Sequence, residues 1–258
     1  MPRVLVIVPF PMAEAELANR REQLGSLDLG DGMTFEFRPV RFAPANYTSH
    51  HDSSLADVSI LEAGIDAERE GYDAVCIDTM SDSGLAALRS VLSIPVIGPG
   101  RHAMLTALML GERFSILVMW DRWKPLYAKT LGELGLGAKC ASIRSIGVEP
   151  DNRSLLVGKE DDVFPKLEAA ARLCIEEDGA DAIILGSTTM HQAHAYLAQR
   201  LPVPVINPGP LSYRLADTAL KLGLTHSRRT YPAPLAPKRD MIKALGDAAV
   251  AAGAGATP

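Results

Sequence analysis

Glu70-Gly71-Tyr72-Asp73-Ala74-Val75-Cys76-Ile77-Asp78-Thr79 and Asp178-Gly179-Ala180-Asp181-Ala182-Ile183-Ile184-Leu185-Gly186-Ser187 are the two stretches that decide the fold. Each has a glycine, an Asp-Ala step, a four-residue apolar run and a hydroxyl residue two positions beyond it. They stand 108 residues apart, Thr79 to Ser187. Downstream, Ile94-Pro95-Val96-Ile97-Gly98-Pro99-Gly100 matches Val203-Pro204-Val205-Ile206-Asn207-Pro208-Gly209 at an offset of 109. Upstream, Val4–Val8 finds a partner in Ser115–Met119 at 111. Three matches in one order at nearly constant spacing mark an internal duplication.

The halves run 1–112 and 113–225, with an extended C-terminal tail over 226–258. Each half reads βαβαβαβα. In the first, Val4–Val8 is a continuous apolar run, as in a strand covered on both faces. Strands are expected at Phe35–Phe42, Ala74–Ile77 and Val96–Ile97, and helices at Glu14–Leu24, Leu55–Glu70, Gly84–Leu92 and His102–Leu110. Gly71 suits a helix C-cap. The second half repeats this with strands at Ser115–Met119, Ala141–Ile146, Ala182–Leu185 and Val203–Ile206. Its helices are Leu126–Leu134, Val163–Glu177, Met190–Gln199 and Leu211–Leu222. Alternation of this kind predicts an α/β fold of two pseudo-twofold-related halves. Each half is a mainly parallel sheet flanked by helices, and the active site is expected in the cleft between them. The tail has three prolines, then an alanine- and glycine-rich run ahead of a fourth at Pro258, and is read as a strap with a frayed end.

Composition excludes several classes. Of 258 residues, 47% are hydrophobic but only 5% aromatic, so the core must be aliphatic. The net charge of −5 argues against nucleic acid, which needs a basic face. No apolar run is long enough to cross a bilayer, so no membrane partner is expected. The start MPRVLVIVPF has too short an apolar stretch for a signal peptide, and a cytoplasmic protein is expected. Cys76, Cys140 and Cys174 are far apart and odd in number, which fits neither a disulfide scaffold nor a CxxC metal site.

In open parallel sheets, ligands bind beyond the carboxyl ends of the strands. The equivalent ends here are Asp78-Thr79-Met80-Ser81 and Gly186-Ser187-Thr188-Thr189. Both are hydroxyl-rich and both lead into a helix, an arrangement suited to a carboxylate. Ser81, Asp82, Thr188 and Thr189 equally suit plain helix N-caps.

These segments, with Asp82-Ser83-Gly84-Leu85 and Arg113-Phe114-Ser115-Ile116-Leu117, resemble the aspartate/glutamate/hydantoin racemase superfamily. The hydantoin racemase branch is nearest, through the Asp-x-Gly-Leu at Asp82–Leu85. The resemblance covers about 1–222. It implies two duplicated α/β halves, no cofactor and no metal, and a small carboxylate or cyclic amide as substrate. It also implies a cysteine from each half, one thiolate taking the α-proton and the other thiol returning one. The matching positions here are Thr79 and Ser187. Alkanol hydroxyls are far less acidic than a thiol of pKa about 8.5. They therefore cannot take over two-base racemisation unaided.

Other groups near these ends are candidates. Asp78 precedes Thr79, and Asp82 follows three residues on. His191, four residues after Ser187, would lie one helical turn away and could activate it. His50-His51-Asp52 lies in a polar stretch read as a loop or lid. Arg101 and His102 follow a strand end. The first strand of the family often ends in a polar Asn-Pro-Asn-Ser/Thr loop. Here the loop is Val8-Pro9-Phe10-Pro11, and its counterpart is Met119-Trp120-Asp121-Arg122-Trp123. Phe10 and Trp120 favour a substrate with an apolar or planar part, and Asp121 adds an acid/base candidate. The expected site is thus Thr79, Ser187 and His191 for chemistry, with Met80, Ser81, Thr188, Thr189, Phe10, Trp120 and Asp121 for binding.

The leading reading is a racemase-like isomerase with altered chemistry. The alternatives are a lyase or decarboxylase, a hydrolase using Ser187, and a non-catalytic binder of small acids. Nothing in the sequence decides for or against a homo-oligomer.

Overall fold

The computed structural model describes residues 1–28, 32–152 and 156–253. Residues 254–257 of the alanine- and glycine-rich run lie outside the described residues. The chain divides into two compact units, Met1–Gly98 with the segment from Ser212 on, and Pro99–Leu211.

The first unit holds a four-stranded parallel sheet in the order β2-β1-β3-β4. Its strands are β1 (Arg3–Val8), β2 (Thr34–Pro39), β3 (Ala74–Ile77) and β4 (Val96–Ile97). Side chains alternate across a strand, and both faces here are covered. Leu5, Ile7, Val75 and Ile77 face a core with Ile60, Leu85 and Leu88. These come from α2 (His50–Gly64) and α3 (Leu85–Val91). Val4, Val6, Val8, Ala74 and Cys76 face the other core, with Leu17, Tyr213 and Ala216. Leu17 belongs to α1 (Glu14–Arg21), and Tyr213 and Ala216 to α8 (Pro208–Lys221).

The second unit repeats the sheet in the order β6-β5-β7-β8. Its strands are β5 (Phe114–Val118), β6 (Cys140–Ser145), β7 (Ala182–Leu185) and β8 (Val205–Ile206). Every residue of β5 and β7 is buried. Its helices are α4 (Pro99–Leu110), α5 (Lys124–Leu134), α6 (Glu160–Glu176) and α7 (His194–Ala198).

The duplication extends to single hydrogen bonds. The Asp73 N–H donates to the Arg3 carbonyl at 2.8 Å, and the Asp181 N–H to that of Arg113 at 2.9 Å. The Arg3 N–H is held by the Asp73 carboxylate, and the Arg113 N–H by that of Asp181. Each arginine then reaches back to a carbonyl, Glu70 or Asp178, just before a left-handed glycine. Those glycines, Gly71 and Gly179, have φ of 80° and 73°, a region costly for other residues.

One helix in each repeat changes allegiance. By sequence, α4 ends the first repeat and α8 the second. In packing, α4 lies on β5 and β7, while Tyr213 and Ala216 of α8 fill the core of the first sheet.

Four local expectations are corrected. The tail is not extended throughout: Arg239–Ala251 forms α9. The run Met241, Ile242, Leu245 has helical spacing, and Gly246 lets α9 approach Arg41 and Glu62 closely. His50 and His51 open α2 rather than lying in a loop, because the Ser49 hydroxyl caps the helix by accepting the Asp52 N–H at 3.1 Å. Helix α2 stops at Gly64 and turns carry the chain on to Gly71. The helix expected over Met190–Gln199 is a 3-10 segment, Thr188–Ala193, followed by the short α7.

Candidate active site

A parallel sheet of order 2-1-3-4 has its switch point between the first and third strands, because successive connections leave in opposite directions there. Ligands bind beyond the carboxyl ends at that point. In the first unit Ile7 of β1 pairs with Ile77 of β3, and the chain continues to Phe10 and to Thr79. In the second, Leu117 of β5 pairs with Leu185 of β7, and the chain continues to Trp120 and Ser187. Thr79 and Ser187 are each two residues past the last ladder pair. Phe10 and Trp120 are each three past it. Both switch points thus carry one aromatic and one hydroxyl residue at matching positions.

In the first unit Thr79 is half-buried. Its Oγ1 lies 3.2 Å from Ser81 Oγ, which lies 2.8 Å from Ser83 Oγ. Met80 is buried, at 3% exposure. Asp82 has a φ of 52°, in the left-handed region that few non-glycine residues adopt. A Cβ on Gly98 would come within 2.6 Å of its carboxylate, so Gly98 is required there. Gly84, the N-cap of α3, has a φ of 71° and donates its N–H to Asp57 of α2 at 2.7 Å.

Asp78 turns away from the strand end. Its carboxylate accepts from Arg20 Nη1 at 3.1 Å and from Gln23 Nε2 at 3.4 Å. The Arg20 and Asp78 side chains are each 1% exposed. An ion pair so deeply buried holds structure, and Asp78 is not placed to serve as a base.

In the second unit Ser187 caps the 3-10 segment. Its Oγ accepts the Thr189 N–H at 3.1 Å and lies 2.8 Å from Thr189 Oγ1. The Thr189 amide, expected to face an anion, is therefore already engaged. Thr188 and Thr189 are buried, and His191 is half-buried. The expected placement of His191 one turn from Ser187 relied on α-helical spacing. At three residues per turn, the residue four along is rotated about 120°. That spacing argument lapses here.

The remaining candidates have the following neighbours. Asp121 is exposed and paired with Lys124 at 2.7 Å. Arg101 pairs with Glu133 at 3.6 Å. Asp52 is drawn into capping α2, accepting from the Thr48 N–H at 3.0 Å. Phe10 stacks on Tyr47 with ring centroids 5.1 Å apart, and Tyr47 OH donates to the Pro9 carbonyl at 2.9 Å. Trp120 lies under Arg122, and Trp123 is buried. Cys76 and Cys174 are buried, and burial pushes both thiols up. The half-buried Cys140 thiol is pushed up to about 11 for the same reason. Among the described residues, no three His, Cys, Asp or Glu side chains come together as a metal site. No described helix is long and apolar enough to cross a membrane.

Sequence reasoning missed Arg20, Gln23, Tyr47 and Tyr127. Tyr127 OH donates to the Gly186 carbonyl beside Ser187. Arg20 stands three residues after Leu17, on the buried face of α1, and that spacing was the available signal.

Two four-stranded parallel sheets with matching strand-end hydroxyls define a duplicated α/β protein. It belongs to the Asp/Glu/hydantoin racemase family, whose model matches residues 14–216. The chain is 31% identical over 208 residues to a hydantoin racemase of Pseudomonas sp. (strain NS671), covering 80% of this chain and 81% of that one. Its fold is similar to an allantoin racemase from Klebsiella pneumoniae, with a TM-score of 0.82, 26% identity and coverage of 92% and 95%. An allantoin racemase from Pseudomonas fluorescens gives 0.81, 28%, and 92% and 98%.

Proposed function

We propose that this chain is a cofactor-independent enzyme of the racemase superfamily that acts on a small carboxylate or cyclic amide with hydroxyls in place of two thiols. One observation carries the reading: Thr79 and Ser187 occupy matching positions past the ends of β3 and β7, each with a second hydroxyl two residues on. A hydroxyl held this way is a directed hydrogen-bond donor. It suits stabilisation of the negative charge that builds on a carbonyl oxygen when the α-carbon loses a proton or a carboxylate. It does not suit proton abstraction, because its pKa is far from the working pH. Proton transfer then falls to a titratable group, and His191 is the candidate on the segment that Ser187 caps. The relatives named above are racemases, which makes isomerisation the default reaction. Loss of carboxylate is the second reading, since it needs no base to open the reaction.

The test is incubation in deuterated water with 5-substituted hydantoins, allantoin, aspartate and glutamate, and separately with an arylmalonate. Deuterium entering the α-carbon, or carbon dioxide released from the arylmalonate, supports the enzyme reading. Binding of any of these acids with neither outcome supports a non-catalytic binder and overturns it.

A further inference from the structure

We propose that Arg20 and Tyr127 are positioning residues, each fixing the residue that precedes a strand-end hydroxyl, so that Thr79 and Ser187 are aimed by two different clamps. The inference rests on the reading that those hydroxyls work on substrate.

The two clamps meet one demand in opposite ways. The residue before the hydroxyl is already tied to the sheet by its N–H. Asp78 donates to the Ile7 carbonyl at 2.9 Å, and Gly186 to the Leu117 carbonyl at 2.8 Å. That bond fixes the N–H side of the residue, and a clamp from a helix holds it a second time, just ahead of the hydroxyl. In the first unit the strand end reaches toward the helix: the Asp78 side chain meets Arg20 of α1, with Gln23 beside it. In the second unit the residue has no side chain, and the helix reaches toward the strand end: Tyr127 of α5 donates to the Gly186 carbonyl. A side chain on Gly186 is excluded, since its Cβ would meet Val118 Cγ1 at 2.6 Å and Tyr127 Oη at 3.1 Å. Both clamping helices follow the first strand of their repeat. Helices α1 and α5 start 110 residues apart, the offset of Ile7 and Leu117 in the sheet pairing, which corrects by one residue the 111 read from the sequence. In that frame Arg20 matches Thr130, one turn from Tyr127, so both clamps rise from the same helix face. Arg20, Asp78 and Tyr127 are each buried to within 2% of full exclusion from solvent.

The clamps differ in kind. An ion pair removed from water resists rearrangement, because separating it strands a buried charge. A single neutral hydrogen bond is weaker and depends on one hydroxyl. The two strand ends therefore respond independently to mutation, which permits a crossed test without any substrate.

The full-length chain is made with Thr79→Cys or with Ser187→Cys, each alone, combined with Arg20→Lys, Asp78→Asn or Tyr127→Phe. Alkylation of the introduced thiol by iodoacetamide is followed across pH 7 to 9. The native thiols contribute little, since burial raises all three. Arg20→Lys and Asp78→Asn should change the rate at position 79 about tenfold and leave position 187 within twofold. Tyr127→Phe should do the reverse. If both thiols shift together in every background, the substitutions act through global stability and the inference is overturned. If neither shifts, the clamps position nothing and it is likewise overturned. Tyr127→Phe removes one oxygen and keeps its packing, so that arm stands even where a change at Arg20 prevents folding. With a substrate in hand, the same three variants should lower kcat and keep KM within twofold. Thr79→Ala and Ser187→Ala, by contrast, test whether the hydroxyls work at all, so failure of that reading is seen separately.

Discussion

Ser187 Oγ accepts the Thr189 N–H at 3.1 Å while lying 2.8 Å from Thr189 Oγ1. One hydroxyl therefore serves as a helix cap and as the proposed donor to substrate. The two roles have different magnitudes and are separable. Ser187→Ala should cost about 1 kcal/mol of stability through the lost cap. It should cost about 10²–10³ in rate through the lost donor. Urea unfolding measures the first and turnover the second. A rate loss in line with the stability loss alone would leave Ser187 only its structural role.

The thiols should be dispensable. Burial raises Cys76 and Cys174 and holds Cys140 at about 11. At pH 7.5 all three are neutral thiols, and a neutral thiol is a poor nucleophile. Iodoacetamide under native conditions should leave turnover unchanged. Abolition of turnover at a rate matching modification of one cysteine would refute the hydroxyl-based site.

Acid stability should depend on Asp178. The Arg144 guanidinium, bonded to it at 2.6 and 2.8 Å, holds its carboxyl at about 2. An unfolded aspartate titrates near 3.9. The folded pKa is the lower one, so the stabilisation is complete above about pH 5 and is lost as pH falls toward 2. Asp178→Asn should flatten part of the fall in unfolding free energy across that window. Asp52, also at about 2, leaves a residue of the slope. Its burial opposes ionisation, and hydrogen bonds from Thr48, Ser49 and His51 outweigh it. Identical slopes for Asp178→Asn and wild type would show that the Arg144 pair does not form in solution.

The fold was legible because duplication doubles every weak local signal. The strand Ala74–Ile77 is four residues long, and Ala182–Leu185 repeats it with the same glycine and aspartate ahead. The shared Arg-to-carbonyl and Asp-to-amide bonds explain why those residues recur. What was not legible depended on long-range partners. The spacing from Leu17 marks Arg20 as facing inward, but its partner Asp78 lies 58 positions away and only the fold brings the two together. The proline-rich tail hid α9 because its helix is fixed by packing on α2 through Arg41, Glu62 and Lys243. The 3-10 geometry after Ser187 left no mark on residue spacing, so the relation between His191 and Ser187 was drawn from the wrong period.

Gly186 gives the most direct check on the strand-end geometry. A Cβ there would stand 2.6 Å from Val118 Cγ1, 2.8 Å from the Leu117 carbonyl oxygen and 3.1 Å from Tyr127 Oη. The first is a side chain that can shift a little. The second is backbone within a sheet ladder and cannot. Gly186 is not among the glycines with positive φ, so the penalty for Gly186→Ala is steric rather than conformational. Overpacking of this kind costs about 1–3 kcal/mol. Relief must come from moving Tyr127 away or lifting the strand end, and either change disturbs Ser187. Gly186→Ala combined with Tyr127→Phe should recover little stability, because the Leu117 carbonyl clash remains. Urea unfolding of the single and double variants decides it. Full recovery in the double variant would place the whole clash on the tyrosine hydroxyl, contrary to the distances.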